Sequence, residues 1–427
     1  MTRTPAIILL LLIASSASCQ KIDKIINRKD VERIERMLSS DEMQGRNTFT
    51  PGIDKAGDFI ANEFKTAGLQ PWKGNTSYKQ PFEMIRTKLL GISGALNNKV
   101  LEQKNVMVIT SLPELHVTKS SGFAIASIKT GQNLFREAIK LIQSNKNYLV
   151  TVDTSFVAGF SRLAGLKEQM FKPENSVVFI LTAAVPEEFD ITASHQVTTS
   201  KLANIVGILP GKSKPDEFVI FSSHYDHLGT GKPVDGDSIF NGANDDAAGS
   251  TAVISLARYF KAAGNNERSL VFATFTAEEI GGFGSQYFSK QFNADAVVAM
   301  FNIEMIGTDS KWGNNSAYIT GYEKTNMGKI MEKNLKGTGF TFHPDPYTDQ
   351  QLFYRSDNAT LARLGVPAHT ISTSKMDNEK FYHTVNDEIE TLDMDNMARI
   401  IKAIALSSKS IVSGKDTPTR VDTNQLR

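Results

Sequence analysis

Three apolar segments of this chain are each followed directly by side chains that can carry chemistry. His224 and Asp226 follow "EFVIFSS", Glu278 and Glu279 follow "LVFATFT" after one intervening residue, and Glu304 follows "VVAMFNI". The carboxyl ends of neighbouring parallel strands meet at one edge of a sheet, where open α/β proteins bind their ligands. We therefore expect these imidazole and carboxylate groups to lie close together.

Two further segments contribute residues of the same types. "NGANDDAAGS" contains Asp245 and Asp246 at the start of a predicted helix, and "FYHTVND" near the end of the chain contains Tyr382, His383 and Asp387. A single Asp pair before a helix is commonly a cap, because carboxylates are favourable at helix N-termini. Five such segments at one edge of a sheet are better explained by a functional site than by separate surface features.

The residue types favour a catalytic metal. A set of histidines and carboxylates without cysteine suits zinc in a catalytic rather than a structural site. There are enough carboxylates to bridge two metals about 3.5–4 Å apart, a pair that can polarise a carbonyl and hold a hydroxide at neutral pH. A carboxylate beside the ligands can then act as general base.

The elements that must position these groups belong to an α/β fold. The segments "NIVGIL", "EFVIFSS", "LVFATFT", "VVAMFNI" and "PAHTIS" are apolar almost throughout. Continuous apolar runs predict strands buried on both faces, and helices alternate with them, including 249–263 and about 326–338. The sequence therefore predicts a three-layer sandwich with a mostly parallel central sheet.

The 427 residues are long enough for one large domain with an insertion. We expect an export signal at 1–19, a helical part of the main domain at 20–77, an inserted α+β module at 78–201, the catalytic domain at 202–412 and a disordered polar tail at 413–427. The insertion mixes β-like runs with one helix at about 131–144 and has no ligand-like cluster.

The N-terminus has the pattern of an export signal: Arg3, an apolar core at 6–14, small residues and then Cys19, the only cysteine. We expect lipidation at Cys19, with a plain secretory signal as the alternative, since Ser16 stands where lipoprotein signals usually carry Leu. The predicted location is the periplasm, the outer membrane as a lipoprotein, or the exterior. Lys plus Arg number 47 against 46 Asp plus Glu, so no basic field indicates nucleic acid.

The motifs "HYDHLG", "NGANDDAAGS", "TAEEIGGFGS", "NIEMIG" and "FYHT" resemble, in their order and approximate spacing, those of the M28 zinc peptidases, a family of aminopeptidases with two zinc ions. The resemblance covers about 35–72 and 202–410, and it implies the zinc-peptidase type of phosphorylase/hydrolase-like fold. It also implies the metal ligands His224, Asp245 as the bridging carboxylate, Glu279, Glu304 and His383.

Three further roles are implied by the same resemblance. Glu278 would be the general base, Tyr382 would steady the oxyanion, and Asp226 would orient the imidazole of His224. The family usually has Asp where this chain has Glu304, which reaches one methylene further. This departure puts the occupancy of one zinc site and the fine substrate preference in doubt.

Other candidates receive no metal-binding role. His227 is expected beside the ligands or at the rim, His369 packed in a strand, and His343 in a loop, while 355–357 is a possible pocket-lining segment. The insertion stands where some family members carry a protease-associated domain, and a family-specific cap is an equal alternative.

Three functions remain open at this stage. The first is an aminopeptidase that removes N-terminal residues from peptides. The second is glutaminyl cyclisation, an acyl transfer on a related fold with one zinc. The third is a non-catalytic binding protein on a peptidase fold, which would be expected to lack some of the ligands. The sequence decides neither the preferred N-terminal residue nor the oligomeric state.

Overall fold

The computed structural model describes residues 22–72 and 74–426, so the predicted export signal with Cys19 lies outside the described residues. The chain divides into two compact units, one formed by Met1–Pro81 with Ala203–Arg427 and the other by Phe82–Leu202. Among the helices of the described ranges, none combines the length and apolar character that crossing a membrane requires.

The strands in chain order are β1 (Gln70–Pro71), β2 (Lys79–Leu96), β3 (Lys99–Val100), β4 (Val106–Ile109), β5 (Glu114–Thr118), β6 (Ala124–Ile128), β7 (Tyr148–Val152), β8 (Met170–Phe171), β9 (Val177–Leu181), β10 (Phe189–Leu209), β11 (Lys214–His224), β12 (Gly229–Val234), β13 (Asp237–Phe240), β14 (Arg268–Phe275), β15 (Val297–Ile303), β16 (Ser316–Ile319), β17 (Thr341–Pro344) and β18 (Ala368–Ser372). The α-helices are α1 (Arg28–Leu38), α2 (Pro51–Ala67), α3 (Leu134–Ile142), α4 (Val157–Phe160), α5 (Ala248–Ala263), α6 (Phe283–Ser289), α7 (Met327–Leu335), α8 (Asn358–Ala362), α9 (Met394–Ser407) and α10 (Lys409–Val412).

The sheet of the first unit has a parallel centre. Strands β14, β11, β15 and β18 lie side by side in that order, and each neighbouring pair is parallel. The end of β10 is antiparallel to β14 at one edge, and β16 is antiparallel to β18 at the other, with β17 beyond it. The predicted α/β class with a mostly parallel central sheet is confirmed.

Both faces of this sheet are buried, which explains the continuous apolar runs. In β14, Leu270 and Phe272 pack into the core shared with the long helices, whereas Val271 and Ala273 pack into a second core on the opposite face. Phe221 of β11 stacks on three rings of the first core, at 5.0–5.6 Å between centroids. Successive side chains of a strand point to opposite faces, so a strand between two cores must be apolar at nearly every position.

The second unit is built around its own four-stranded sheet, in the order β4-β9-β7-β6. Strand β9 is antiparallel to β4 and parallel to β7, which is parallel to β6. Helix α3 begins after Asn133, whose side chain accepts a hydrogen bond from the backbone N–H of Arg136, and it buries Leu134 and Ala138. Whether this unit is related to protease-associated domains or is a cap stays a prediction.

The prediction of a disordered C-terminal tail is wrong for its described residues. Arg268 is fully buried, and its Nη1 donates to the carbonyl oxygens of Ile411 (2.7 Å) and Asp416 (2.8 Å), while Nη2 donates to Thr417 Oγ1 (2.6 Å). Val421, further along the tail, is 5% exposed. A buried guanidinium requires acceptors, and the polar tail supplies them.

Candidate metal centre and active site

The fold brings the predicted residues to one edge of the parallel sheet. His224 is the last residue of β11, Glu304 directly follows β15, and Glu278 comes three residues after the end of β14. Asp245 lies in the turn that precedes α5, and His383 lies in the loop between β18 and α9. The side chains therefore meet because the parallel strands end at the same edge, as expected from the order of the motifs.

Two groups of side chains have the spacing of metal ligands. One ligand atom from each of His224, Asp245 and Glu304 lies within 4.8 Å of the others, and the same holds for His227, Asp245 and Glu279. Asp245 belongs to both groups. The arrangement is therefore two candidate cation sites that share one carboxylate.

Two histidines flank the carboxylate of Glu279. His383 Nε2 lies 3.3 Å from Glu279 Oε2 and 3.3 Å from Asp245 Oδ2, close to the ligand position that the family resemblance implies for it. His227 Nδ1 lies nearer, at 2.8 Å from Glu279 Oε1, and its side chain is fully buried. From the sequence, His227 was expected beside the ligands or at the rim and not as a ligand, although its position three residues after His224 is a signal that could have marked it.

Buried atoms without hydrogen bonds support a cation at these positions. His224 Nε2, His227 Nε2, His383 Nε2 and Glu304 Oε2 are all buried and have no hydrogen-bond partner among the described residues. A buried polar atom left unpaired costs about 1–3 kcal/mol. Imidazole nitrogens and carboxylate oxygens are also the donors that zinc takes in catalytic sites, so the donor set fits this metal.

The electrostatics point in the same direction. Burial raises the pKa of Glu278 well above its ordinary range and also raises that of Glu304. Burial raises the pKa of Asp357 to about 7. The carboxylates of Asp245 and Glu279, each 3.3 Å from His383 Nε2, raise the pKa of His383 to about 10. Burial thus disfavours the charged forms of these carboxylates, and a divalent cation bound among them would stabilise those forms.

Buried carboxylates outside the two groups hold the loops that carry the ligands. Asp387 accepts hydrogen bonds from the backbone N–H groups of Asn244 (2.8 Å) and Asp245 (3.0 Å). Asp246 Oδ1 accepts one from the backbone of Met305 (3.0 Å), the residue that follows Glu304. Both carboxylates thus fix the backbone beside a candidate ligand, a positioning function typical of groups behind a metal site.

Asp226 contacts the Glu278–Glu279 turn and His224 through different atoms. Its Oδ1 accepts a hydrogen bond from the backbone N–H of Glu278 (3.0 Å), and its Oδ2 accepts one from that of Glu279 (3.3 Å). His224 Nδ1 lies 3.1 Å from the backbone carbonyl oxygen of Asp226, but 3.8 Å from its carboxylate. In this structure the imidazole is therefore oriented by the main chain of Asp226, and the carboxylate holds the Glu278–Glu279 turn.

Arg46 is a fully buried residue that the sequence analysis did not single out. Its Nη2 donates to the carbonyl oxygens of Gly242 (2.8 Å) and Asp245 (3.4 Å), and its Nε donates to that of Tyr225 (2.9 Å). One guanidinium thus links the loop after β11 with the turn before α5. No local pattern marks such a residue, because its partners are distant in sequence.

The left-handed backbone conformation appears at three points around the site. Ala277, Met305 and His383 have φ values of 58°, 52° and 58°. Residues other than glycine rarely adopt this conformation, and such positions cluster where surrounding structure overrides local preference. Ala277 adopts it directly before the adjacent carboxylates Glu278 and Glu279.

A pocket lies beside Glu304. Met305, Tyr382, Arg355 and Ser356 are among the residues that line it, so two residues of the predicted 355–357 segment do line a pocket, while Asp357 is buried. The ring of Tyr382 stacks on that of His383, with 3.9 Å between centroids.

Two other histidines of the first unit lie apart from these groups. His369 is buried in β18, with Nε2 2.8 Å from Thr325 Oγ1 and Nδ1 2.8 Å from the carbonyl oxygen of Thr320, as expected for a packed residue. His343 lies in β17 and stacks on Trp312, so its predicted loop position is wrong.

The sequence of the first unit matches a known family. Residues 204–407 match the model of peptidase family M28. The matched segment contains all five implied metal ligands together with Glu278, Tyr382 and Asp226.

Curated relatives cover part of the chain. A probable leucine aminopeptidase of Trichophyton verrucosum is 29% identical over 204 residues, which are 45% of this chain and 53% of the relative. Leucine aminopeptidase 1 of Penicillium rubens is 30% identical over 250 residues, 52% of this chain and 60% of the relative. The chain therefore spans little more than half the length of these relatives.

Solved structures share the fold over most of the chain. The aminopeptidase of Aneurinibacillus sp. strain AM-1 aligns with a TM-score of 0.55 at 18% identity, over 91% of this chain and 95% of that one. BSAP, a zinc aminopeptidase from Bacillus subtilis, aligns with a TM-score of 0.54 at 16% identity, over 92% and 97% of the two chains. At this identity the likeness concerns the fold.

Proposed function

We infer the function of this chain from its membership of peptidase family M28, to which residues 204–407 belong, and propose that it is a zinc-dependent aminopeptidase. The observation that carries the proposal is the pair of ligand groups that share Asp245, with Glu278 next to the ligand Glu279 at the same sheet edge. Peptides with a free N-terminus are the proposed substrates, as the names of the curated relatives suggest.

The proposal includes two zinc ions per chain. His224, Asp245 and Glu304 would hold one, and Asp245 and Glu279 with His383 or His227 would hold the other. Bound there, zinc would polarise the scissile carbonyl and make water a stronger nucleophile at neutral pH. Despite the extra methylene of Glu304, its carboxylate oxygen lies within 4.8 Å of the ligand atoms of His224 and Asp245.

The side chains of the protein provide the proton transfers. Glu278 is partly exposed, so its carboxylate can reach an attacking water, take its proton and pass it to the leaving amine. Burial raises its pKa above that of an ordinary carboxylate, which suits a group that must both accept and release a proton. Burial raises the pKa of Tyr382, so this phenol stays protonated and can donate to the oxyanion.

Glutaminyl cyclisation is the second candidate, since it uses a related fold with a single zinc. The second ligand group at Glu279 argues against it, because a one-zinc enzyme does not need two groups that share a bridging carboxylate. A non-catalytic binding protein is the third candidate, and the presence of the base and of all the implied ligands argues against that function.

Metal analysis and a peptide panel test the proposal. The protein purified with zinc is expected to contain two ions per chain and to release the N-terminal residue from free peptides but not from the same peptides with an acetylated N-terminus. Equal hydrolysis of both peptides would exclude an aminopeptidase and favour an endopeptidase. One zinc ion, together with cyclisation of N-terminal glutamine, would favour the second candidate.

We further propose that the enzyme acts outside the cytoplasm, in the periplasm, at the outer membrane or after secretion. The support is the pattern of residues 1–19, in which Arg3 precedes an apolar core and Cys19 stands at a lipidation position. Mass spectrometry of the mature N-terminus would distinguish a diacylglyceryl-modified Cys19 from simple cleavage.

A further inference from the structure

The pocket beside Glu304 contains a cation that the proposed mechanism does not use. Of the described residues that line this pocket, Arg355 is the only lysine or arginine, and Glu304 is the only carboxylate. Glu304 already belongs to the ligand group with His224 and Asp245. The pocket therefore combines direct access to the candidate metal centre with one positive charge of its own.

Arg355 has no charged partner among the described residues. Its one hydrogen bond is from Nη1 to the amide oxygen of Gln350, at the long distance of 3.5 Å, and it makes no ion pair with a carboxylate. By contrast, the buried Arg268 has Glu217 Oε2 at 2.6 Å from its Nε. The five N–H donors of Arg355 are thus largely available to a ligand, and a guanidinium matches the geometry of a carboxylate.

The wall of the pocket adds a second donor. Thr320 lines the pocket and is 2% exposed. Its Oγ1 accepts a hydrogen bond from the backbone N–H of Thr370 (3.2 Å), which leaves the hydroxyl proton free to donate. An apolar side chain in the pocket would leave the buried hydroxyl of Thr320 without an acceptor, and a basic side chain would be repelled by Arg355.

We propose that this pocket receives the side chain of an acidic N-terminal residue, glutamate or aspartate, and that Arg355 is the residue that determines this specificity. The inference rests on the proposed function, because it assigns the side-chain pocket of the same aminopeptidase site. The carboxylate of the substrate would accept hydrogen bonds from Arg355, with the hydroxyl of Thr320 as a further donor.

The test uses the zinc-loaded full chain and four dipeptides of the form X–Ala, with Glu, Gln, Leu or Lys as X. Glutamate and glutamine have nearly the same shape, so the ratio of their kcat/KM values isolates the effect of charge. We expect this ratio to be about ten in the wild type, equivalent to about 1.4 kcal/mol, at low ionic strength. We expect it to decrease as salt is added, because Arg355 is exposed.

Three variants complete the test. Arg355→Gln is expected to bring the Glu/Gln ratio of kcat/KM close to one. Arg355→Lys is expected to give an intermediate ratio, because lysine keeps the positive charge but lacks the planar guanidinium. Arg363→Gln removes another exposed arginine, outside the pocket, and is expected to leave the ratio unchanged. The rate of hydrolysis of Gln–Ala by each variant checks that the enzyme is folded and has bound zinc.

The results separate this inference from the proposed function. A wild-type Glu/Gln ratio of one or below, with clear release of Leu or Gln, would overturn the specificity and leave the aminopeptidase assignment intact. A high ratio that persists in Arg355→Gln would show that another residue selects the charge, and would also overturn the inference. Failure to release any N-terminal residue would contradict the proposed function itself.

Discussion

The carboxylate of Asp226 holds the backbone of Glu278. The Glu278 N–H donates to Asp226 Oδ1 at 3.0 Å, and Asp226 is fully buried. Asp226 follows β11 and Glu278 follows β14, so this hydrogen bond joins the loops after two adjacent strands. The proposed base is therefore held by the loop that directly follows the candidate ligand His224.

Replacing Asp226 with asparagine tests this positioning function. Asparagine offers one acceptor oxygen in place of two, so one of the N–H groups of Glu278 and Glu279 would face an NH₂ group. We expect kcat to fall about 10- to 100-fold, in the range found when groups behind a metal site are changed. Steady-state kinetics with zinc analysis would measure the change.

A matched variant serves as the control for Asp226→Asn. Asp190→Asn changes an exposed aspartate of the second unit and should leave kcat unchanged. Wild-type kinetics for Asp226→Asn would show that the turn does not depend on this carboxylate.

The adjacent glutamates are expected to differ in function. Glu278→Gln should lower kcat by about 10²- to 10⁴-fold while the zinc content stays near that of the wild type, because it removes the base and no ligand. Glu279→Ala should lose zinc, because it removes a carboxylate that would bind the same ion as His227 or His383. Turnover and zinc per chain should be measured on the same preparations. Full activity of Glu278→Gln would place the base elsewhere.

His227 and His383 both contact Glu279, and their substitutions would show which one binds zinc. We expect His227→Gln and His383→Gln each to lower the affinity for the second zinc ion, since each ring lies within 3.3 Å of the Glu279 carboxylate. Competition with a chromogenic chelator would give the affinity of each site. His343→Gln, in β17 and stacked on Trp312, should leave both affinities unchanged. Loss in His383→Gln alone would limit His227 to a positioning function.

Glu35 is expected to make stability depend on pH. It is fully buried, accepts a hydrogen bond from Thr251 Oγ1 (2.8 Å), and burial raises its pKa from 4.5 to about 8. Between these two values the folded protein keeps a proton that the unfolded chain has released. The contribution of Glu35 is thus fully present below about pH 4.5 and is lost as the pH rises towards 8.

Glu35→Gln isolates this effect because glutamine keeps the acceptor oxygen but does not titrate. The free energy of unfolding of the wild type should fall relative to the variant between pH 5 and 8, by at most about 1.4 kcal/mol per pH unit. Urea unfolding at four pH values would measure the difference. A difference independent of pH would contradict the assigned pKa.

The sequence determined the fold class and the edge of the sheet at which chemistry is placed. The strands β11, β14 and β15 could be predicted because both of their faces are buried, which requires apolar residues at nearly every position. Parallel strands bring their carboxyl ends to one edge, so His224, Glu279 and Glu304 could be expected to meet. These are consequences of local pattern and of a general rule of sheet geometry.

Only the tertiary structure decided how the loops are held and how each side chain is directed. Arg46, Asp226 and Asp387 bind backbone groups that lie far along the chain or beyond another strand, and no sequence periodicity encodes such contacts. Ala277 adopts a left-handed conformation directly before the two glutamates, and the fully buried His227 lies 2.8 Å from Glu279. The tail is ordered because the buried Arg268 needs its acceptors. Hydrogen bonds between distant segments depend on how the whole chain packs, so the residue pattern alone does not specify them.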